Sequence, residues 1–349
     1  MSLTTEESKL LIEIANKVDN LVNTALKQKN ETFQELLSEL KLEIAGLTES
    51  DIVSIAKDKI DTYIKTCYGE LPPVYHVEFN GVINKITGIR HMTTDRVLRK
   101  LVANVPVFMY GPAGAGKNAI AEQCAKALNL DFYYMNAVKQ EFNLTGFVDA
   151  RGRFIETQFY HACLNGGLMM IDEIDSSIPE VLVKLNSALS NGYFDFPIGE
   201  DKDGNLVGGR VPVHYKTRFI VAGNTTGQGA DRLYTGRNQL DAATLDRFSM
   251  VHINYDENME RQIAGEHTDL LEFIHALRGV ILSMEMRYVL SIRALKHAIL
   301  LIKQNEPILE LVEDTIVKGI HRDDLKQIYS KMKNLTGNKY YQTLSALVK

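Results

Sequence analysis

The feature that most constrains the fold is a glycine-rich run, GPAGAGKN at 111–118, which directly follows the short apolar segment VPVFMY at 105–110. Between a buried strand and a helix, such a run aims backbone N–H groups inward and forms a site for anions. Glycines let the backbone close around phosphate groups without a clash from a Cβ atom. The sequence therefore predicts a nucleotide-binding loop, made of Gly111, Pro112, Ala113, Gly114, Ala115, Gly116, Lys117, Asn118 and Ala119.

Two residues of this loop are expected to act directly on the nucleotide. Lys117 can reach the β- and γ-phosphates. The next position ordinarily holds Ser or Thr, whose hydroxyl binds magnesium, but here it is Asn118. Because Mg²⁺ needs an oxygen ligand and not a hydroxyl specifically, the amide carbonyl of Asn118 is expected to serve as a ligand, and hydrolysis is expected to persist.

A second apolar segment, LMMIDEID at 168–175, ends in adjacent acids. Asp172 is expected to bind magnesium, directly or through water, and Glu173 to orient or deprotonate the attacking water. One alternative is that the acids only cap a strand end. Another follows from Asp175, which completes the string DEID and brings helicases of the DExD type into consideration.

A third apolar segment, FIVAGNTT at 219–226, carries Asn224 just beyond its end. In a parallel sheet this residue belongs at the carboxyl edge, where ligands bind, and its amide is expected to position water against the γ-phosphate. An ordinary asparagine that caps a loop is the alternative.

Three arginines follow the acidic and Asn-ending segments. Arg237 and Arg247 lie in the run YTGRNQLDAATLDRF, and Arg293 is the third residue of the run SIRALKHA. An arginine directed at the γ-phosphate of a neighbouring subunit stabilises the charge of the transition state. Arg293 is expected to approach the nucleotide from a lid. For each of the three, a solvated or ion-paired surface arginine is the alternative.

The chain divides into three predicted domains: an N-terminal helical domain at 1–73, an α/β nucleotide-binding domain at 74–255 and a helical lid at 256–349. Apolar residues three and four apart predict the first helices, whose partner the sequence does not identify. Leu71-Pro72-Pro73 ends them. The alternating run at 74–86, centred on Asn80-Gly81, predicts a β-hairpin. A second, protruding hairpin is predicted at 193–215.

Composition excludes several classes of protein. The net charge of -5 gives no general attraction to nucleic acid. The three cysteines fit no disulfide framework or zinc spacing, which favours reduced thiols in the cytoplasm. No secretion signal and no apolar stretch of membrane-spanning length is present, so no membrane is expected. The nine histidines have no metal-ligand spacing.

Taken in order, these motifs resemble those of the AAA+ ATPases, and more narrowly those of the MoxR and dynein-related branch, which includes the ATPase subunit of cobalt chelatase. The resemblance spans roughly residues 90–300 and excludes the first seventy residues. It implies an AAA+ P-loop domain with a helical lid. It also implies one role for each motif: Lys117 as the Walker A lysine, Asp172 and Glu173 as Walker B, Asn224 as sensor-1, Arg247 as the arginine finger, Arg293 as sensor-2, and Arg237 as an assistant in trans.

The resemblance further implies ATP and Mg²⁺ as cofactors and a hexameric ring with nucleotide at the subunit interfaces. Partners in this branch often carry a von Willebrand A-type domain, and inserted loops would correspond to 140–155 and 193–215. The expected function is a chaperone-like ring ATPase that remodels a protein partner. A nucleic-acid motor is one alternative. An inactive nucleotide-binding scaffold, suggested by Asn118, is the other.

Overall fold

The computed structural model describes residues 75–79, 82–86 and 89–348, so the predicted helices at 1–73 lie outside the described residues. Within these ranges the strands are β1 (Tyr75–Phe79), β2 (Val82–Ile86), β3 (Val107–Tyr110), β4 (Phe132–Met135), β5 (Phe147–Val148), β6 (Phe154–Ile155), β7 (Leu168–Ile171), β8 (Tyr193–Glu200), β9 (Leu206–Pro212), β10 (Arg218–Gly223) and β11 (Ser249–His252).

Five of the described strands form one parallel sheet in the order β11-β3-β10-β7-β4. Their sequences are almost continuously apolar, as expected for strands that are covered on both faces. Successive side chains point to opposite faces of a strand, so one face of the sheet carries Val107 and Met109 and the other carries Phe108. Both faces are buried, which confirms the predicted α/β domain.

The helices in the described part of the chain are α1 (Thr94–Val102), α2 (Lys117–Leu128), α3 (Glu141–Thr145), α4 (Gln158–Asn165), α5 (Pro179–Leu182), α6 (Ala242–Asp246), α7 (Glu257–Ala264), α8 (Thr268–Ser283), α9 (Ile292–Ile302), α10 (Ile308–Leu311), α11 (Arg322–Lys331) and α12 (Lys339–Leu347). Helices α1 and α2 cover one face of the sheet and α4 covers the other.

The chain beyond α6 and β11 is helical and has a core of its own. Buried side chains of α8, α9, α11 and α12 pack together there, among them Phe273, Leu295, Ile328 and Leu344. This confirms the helical C-terminal region. No helix among residues 89–348 combines the length and apolar character needed to span a bilayer.

The hairpin predicted around Asn80-Gly81 is present, since β1 and β2 pair antiparallel with Phe79 opposite Val82. The second predicted hairpin is also present, as β8 and β9. The expectation that it protrudes is wrong for its base: Phe194, Phe196 and Val211 are buried in the core that also covers the sheet. Aromatic residues two apart on β8 point to the same face, and that face packs on α4.

Candidate functional site

The glycine-rich loop joins β3 to α2, as the sequence predicts. A Cβ atom on Gly111 would lie 2.0 Å from the carbonyl oxygen of Ile253, so only glycine fits at the first position. Gly116 precedes the helix with a φ of +96°, a conformation that favours glycine. The loop therefore takes a shape that its glycines permit, with the first turn of α2 directly after it.

Two tyrosines hold the tip of this loop. The N–H of Ala113 donates to the hydroxyl of Tyr234 at 2.8 Å, and the hydroxyl of Tyr255 donates to the carbonyl oxygen of Ala113 at 3.0 Å. The backbone N–H and C=O groups of Ala113 are thus both hydrogen-bonded to side chains from distant parts of the chain. The sequence motifs gave no indication of either contact.

The Lys117 side chain is only 6% exposed and is fully engaged within the site. Its Nζ atom donates to the carbonyl oxygens of Gly111 at 2.8 Å and Pro112 at 3.1 Å, and to Oδ1 of Asn224 at 3.0 Å. Burial lowers the pKa of Lys117 to about 8, while the charges of Asp172 and Asp175 oppose this shift. A phosphate bound beside the buried ammonium would stabilise its charged form.

Asp172 follows β7 and accepts hydrogen bonds on both carboxylate oxygens. Its Oδ2 accepts from Asn118 Nδ2 at 2.9 Å and from the Tyr134 hydroxyl at 3.1 Å, and its Oδ1 accepts from the N–H of Glu173 at 2.9 Å. Burial and then the charge of Asp172 raise the pKa of Tyr134, so the phenol keeps its proton and donates. Tyr134 was not identified from the sequence, because only its place on the edge strand β4, next to β7, could have suggested it.

The donor set fits a magnesium ion. The amide nitrogen of Asn118 is occupied by Asp172, which leaves the carbonyl oxygen of the same amide as an oxygen donor. Carboxylate and amide oxygens are ligands that Mg²⁺ prefers, and it keeps water and phosphate oxygens as the others. Asn118 and Asp172 would hold the ion, and the ion would supply positive charge beside the phosphates.

Asp175, the third acid of the DEID string, fixes the strand end that carries Asn224. It is fully buried, and its Oδ2 accepts from the N–H of Asn224 at 2.9 Å, the N–H of Thr225 at 2.8 Å and the Thr225 hydroxyl at 2.9 Å. The sequence marked Asp175 only as a helicase-like feature. In the structure it joins the ends of β7 and β10, because parallel neighbouring strands end at the same edge.

A cleft of about 400 Å³ lies at this edge and brings most of the predicted site residues together. Its polar lining includes Lys117, Asn118, Asp172, Glu173, Asn224 and Arg293. Ala113, Gly114, Gly116 and Ala119 also line it. The remaining predicted loop residues take other places: the carbonyls of Gly111 and Pro112 bind Lys117, and Ala115 is buried in the core.

The helical region contributes one side of the cleft. Arg293 stands at the start of α9, and Lys296, three residues later on the same helix face, lines the cleft with it. Lys296 was missed in the sequence, although its spacing from Arg293 was the available signal. Apolar side chains of Ile89, Met259 and Ile263 line the cleft as well.

Arg247 is not part of the cleft. Its Nε atom donates to the Ser190 hydroxyl at 2.7 Å and its Nη1 atom donates to the carbonyl oxygen of Ala243, and the residue is half-buried. Its predicted role toward a neighbouring subunit therefore stays a prediction.

Arg237 does not line the cleft either, but it pairs with acids of its own chain next to it, and its expected role in trans stays a prediction. Its Nη1 atom is 3.3 Å from Asp175 Oδ1 and 3.5 Å from Glu173 Oε2, and it also donates to the Ser176 hydroxyl. The side chain is 12% exposed. The buried Asp175 and the partly exposed Glu173 of the same chain thus hold the guanidinium.

Comparisons with known proteins agree with this geometry. A model of the family "AAA domain (dynein-related subfamily)" matches residues 106–248, which include the loop, both strand ends and Arg247. A Lon protease of Lachnoclostridium phytofermentans is 24% identical over 70% of this chain and 30% of that protein. Gas vesicle ATPase GvpN2 of Halobacterium salinarum is 24% identical over 57% of this chain and 62% of that protein.

The alignments with these two curated relatives thus cover less than two thirds of either relative's length. Among solved structures, NtrX of Brucella abortus superposes with a TM-score of 0.40 at 18% identity, over 72% of this chain and 63% of that one. A TM-score this low does not bear on the family of this chain, which rests on the match to the family model. Residues 106–248 are an AAA domain of the dynein-related subfamily, which is an ATPase domain.

Proposed function

We propose that this chain hydrolyses ATP with Mg²⁺ in the cleft at the carboxyl edge of the sheet. The observation that carries the proposal is the convergence of Lys117, Asp172, Glu173 and Asn224 on one cleft, from three separate strand ends. Lys117 binds the β- and γ-phosphates, and Glu173 takes the proton of the attacking water, which Asn224 orients. Asn118 and Asp172 hold the ion, whose charge stabilises the phosphates.

The remainder of the cleft suits the nucleoside and the far side of the triphosphate. Ile89, Met259 and Ile263 offer an apolar surface for the base, as ligand pockets commonly do. Arg293 and Lys296 add positive charge from the helical region. We therefore place the nucleotide-binding domain at 74–255 and the lid at 256–349, with the lid closing over bound nucleotide.

We further propose that the chain works as a ring, with six subunits the expected number, in which Arg247 reaches the γ-phosphate of the neighbouring subunit. Its partial exposure and its absence from the lining of its own cleft support this role. The work of the ring would be chaperone-like remodelling of a protein partner in the cytoplasm, directly or through an adaptor with a von Willebrand A-type domain.

Magnesium-dependent release of phosphate from ATP by the full chain tests the proposed hydrolysis. The natural protein is expected to turn over ATP, and EDTA is expected to stop it. Lys117→Ala is expected to show no turnover, because Lys117 is the cation within the loop that reaches the phosphates. A natural protein that binds ATP and releases no phosphate would support the scaffold alternative instead.

The lowered pKa of Lys117 predicts how nucleotide affinity depends on pH. Below about pH 8 the lysine carries its proton with and without nucleotide, so affinity is expected to be level. Above that pH the free protein has lost the proton, while bound phosphates favour the charged form and raise the pKa. Binding must then take up a proton, and affinity is expected to fall by up to about tenfold per pH unit.

A titration with a fluorescent ATP analogue from pH 7 to 9.5 measures this dependence. Calorimetry at pH 9 in two buffers of different ionisation enthalpy counts the protons taken up. Lys117→Arg is the matched control, because a guanidinium stays charged over this range. An affinity of the natural protein that remains level to pH 9.5 would contradict the proposed state of Lys117.

A further inference from the structure

The segment 231–238, which lies between β10 and α6, contacts two parts of the nucleotide site at once. Through Tyr234 it accepts a hydrogen bond from the N–H of Ala113 in the loop, at 2.8 Å. Through Arg237 it pairs with the acids that follow β7. The motifs marked Arg237 of this segment as an arginine for a neighbour, and the contacts of the segment within its own subunit were not foreseen.

One of the two acids that pair with Arg237 is itself held rigidly. Asp175, whose Oδ1 lies 3.3 Å from Arg237 Nη1, is fully buried and bonded to the backbone of Asn224 and Thr225. The residue after Arg237 is tied to the same place, since the N–H of Asn238 donates to the carbonyl oxygen of Asp175 at 2.6 Å. The guanidinium therefore has a fixed position relative to the ends of β7 and β10.

Glu173 is the freer partner of the pair. Its side chain is 47% exposed, and its Oε2 lies 3.5 Å from Arg237 Nη1. In this paired position Glu173 still lines the cleft. Pairing with Arg237 and facing the nucleotide are thus compatible, so the arginine fixes the direction of the carboxylate without withdrawing it from the cleft.

We propose that Arg237 is a positioning residue for Glu173 within the same subunit, an inference that rests on the ATP hydrolysis proposed above. Glu173 has a flexible side chain, and a base that must meet one water molecule loses rate when its direction varies. A third group that orients the base is a recurring arrangement in enzyme sites. Arg237 supplies it here, and Asp175 and Ser176 in turn hold Arg237.

The segment 231–238 also contacts the helical C-terminal region. Arg232 Nη1 lies 3.0 Å from Oε2 of Glu285, in the turn between α8 and α9, the helix that carries Arg293. A movement of these helices on nucleotide binding would therefore also displace the segment that carries Arg237. The two arginines lie five positions apart, with Tyr234 between them.

A double-mutant cycle tests the proposal. Arg237→Lys keeps a positive charge beside Asp175 but loses the planar guanidinium. We expect its kcat for ATP to fall about tenfold or more, with the KM for ATP unchanged. In the Glu173→Gln background, the same substitution is expected to leave the residual kcat unchanged, because the base that Arg237 positions is already absent.

An equal loss in both backgrounds, or a loss of nucleotide affinity in Arg237→Lys, would show a structural role and overturn the proposal. So would recovery of turnover on mixing Arg237→Lys with Lys117→Ala subunits, because a residue acting in its own subunit cannot be complemented there. Natural protein without turnover would refute the proposed hydrolysis. Normal turnover by Arg237→Lys would refute the positioning role alone.

Discussion

Replacing Glu173 with glutamine is expected to lower the rate of phosphate release at least ~100-fold while ATP still binds, because general-base catalysis contributes about 10²–10⁴-fold. Glutamine has the shape of glutamate but cannot accept the proton of the attacking water. The lysine that binds the phosphates is untouched, since its hydrogen bonds go to Gly111, Pro112 and Asn224. Phosphate release and equilibrium binding of an ATP analogue are the two measurements.

Glu180→Gln is the matched control, because Glu180 is an exposed acid a few residues further along the chain. It is expected to turn over ATP at the natural rate. Normal turnover by Glu173→Gln would remove Glu173 from the role of base, whatever the control shows.

Replacing Arg247 with alanine is expected to lower turnover about 10³-fold, the contribution that an arginine supplied across an interface makes in related phosphoryl transfers. The loss is expected to be reversed in part when Arg247→Ala subunits are mixed with Lys117→Ala subunits. At some interfaces an intact cleft then meets an intact arginine. Arg210→Ala is the control, since Arg210 is an exposed arginine that pairs with Asp195 on the β8–β9 hairpin.

Phosphate release from mixed assemblies, whose composition is verified by native mass spectrometry, measures the recovery. Absence of recovery in verified mixtures would assign Arg247 a structural role through its contacts with Ser190 and Ala243. It would also remove the main support for catalysis at a subunit interface.

Much of the fold follows from local sequence. Short apolar runs before the glycine loop, the acids and Asn224 each form a strand of the parallel sheet, and 117–128 forms the helix after the loop. These predictions succeed because a buried parallel strand needs a continuous apolar run, and a glycine-rich loop directly after the run marks the end of the strand. The order of the strands brings the predicted polar residues to one edge.

The contacts that could not be predicted join residues far apart in the chain. Arg237 and Ser176 are 61 positions apart, and Tyr234 and Ala113 are 121 apart. No local pattern specifies such pairs, which depend on how loops fold over the sheet edge. Tyr134 was missed for the same reason, because its partner Asp172 follows the neighbouring strand β7.

The β8–β9 hairpin shows a different limit. The turn signal Asp203-Gly204 predicted its tip correctly, since residues 201–205 lie between the strands, whereas Gly208-Gly209 lies within β9. The same turn signals suggested a protruding element, but the aromatic side chains of Phe194 and Phe196 bury its base. Turn residues indicate where a hairpin reverses direction, whereas the apolar face of its strands determines where it packs.

The identity of residue 118 raises the central question of the site, and its geometry suggests an answer. A serine hydroxyl can donate to the aspartate and bind the ion with one oxygen. In Asn118 these tasks fall on two atoms, since Nδ2 donates to Asp172 at 2.9 Å and the carbonyl oxygen remains for Mg²⁺. Asn118→Thr is therefore expected to retain hydrolysis, and Asn118→Ala, which loses both atoms, to require more magnesium.

A magnesium titration of phosphate release by the natural protein, Asn118→Thr and Asn118→Ala tests this account most directly. Binding of Mn²⁺ to the nucleotide complex, followed by electron paramagnetic resonance, reports on the ion site independently of turnover. We predict hydrolysis by the natural protein and by Asn118→Thr at similar magnesium concentrations, with Asn118→Ala shifted to higher concentration. A natural protein that is inactive at every magnesium concentration, beside an active Asn118→Thr, would contradict the account.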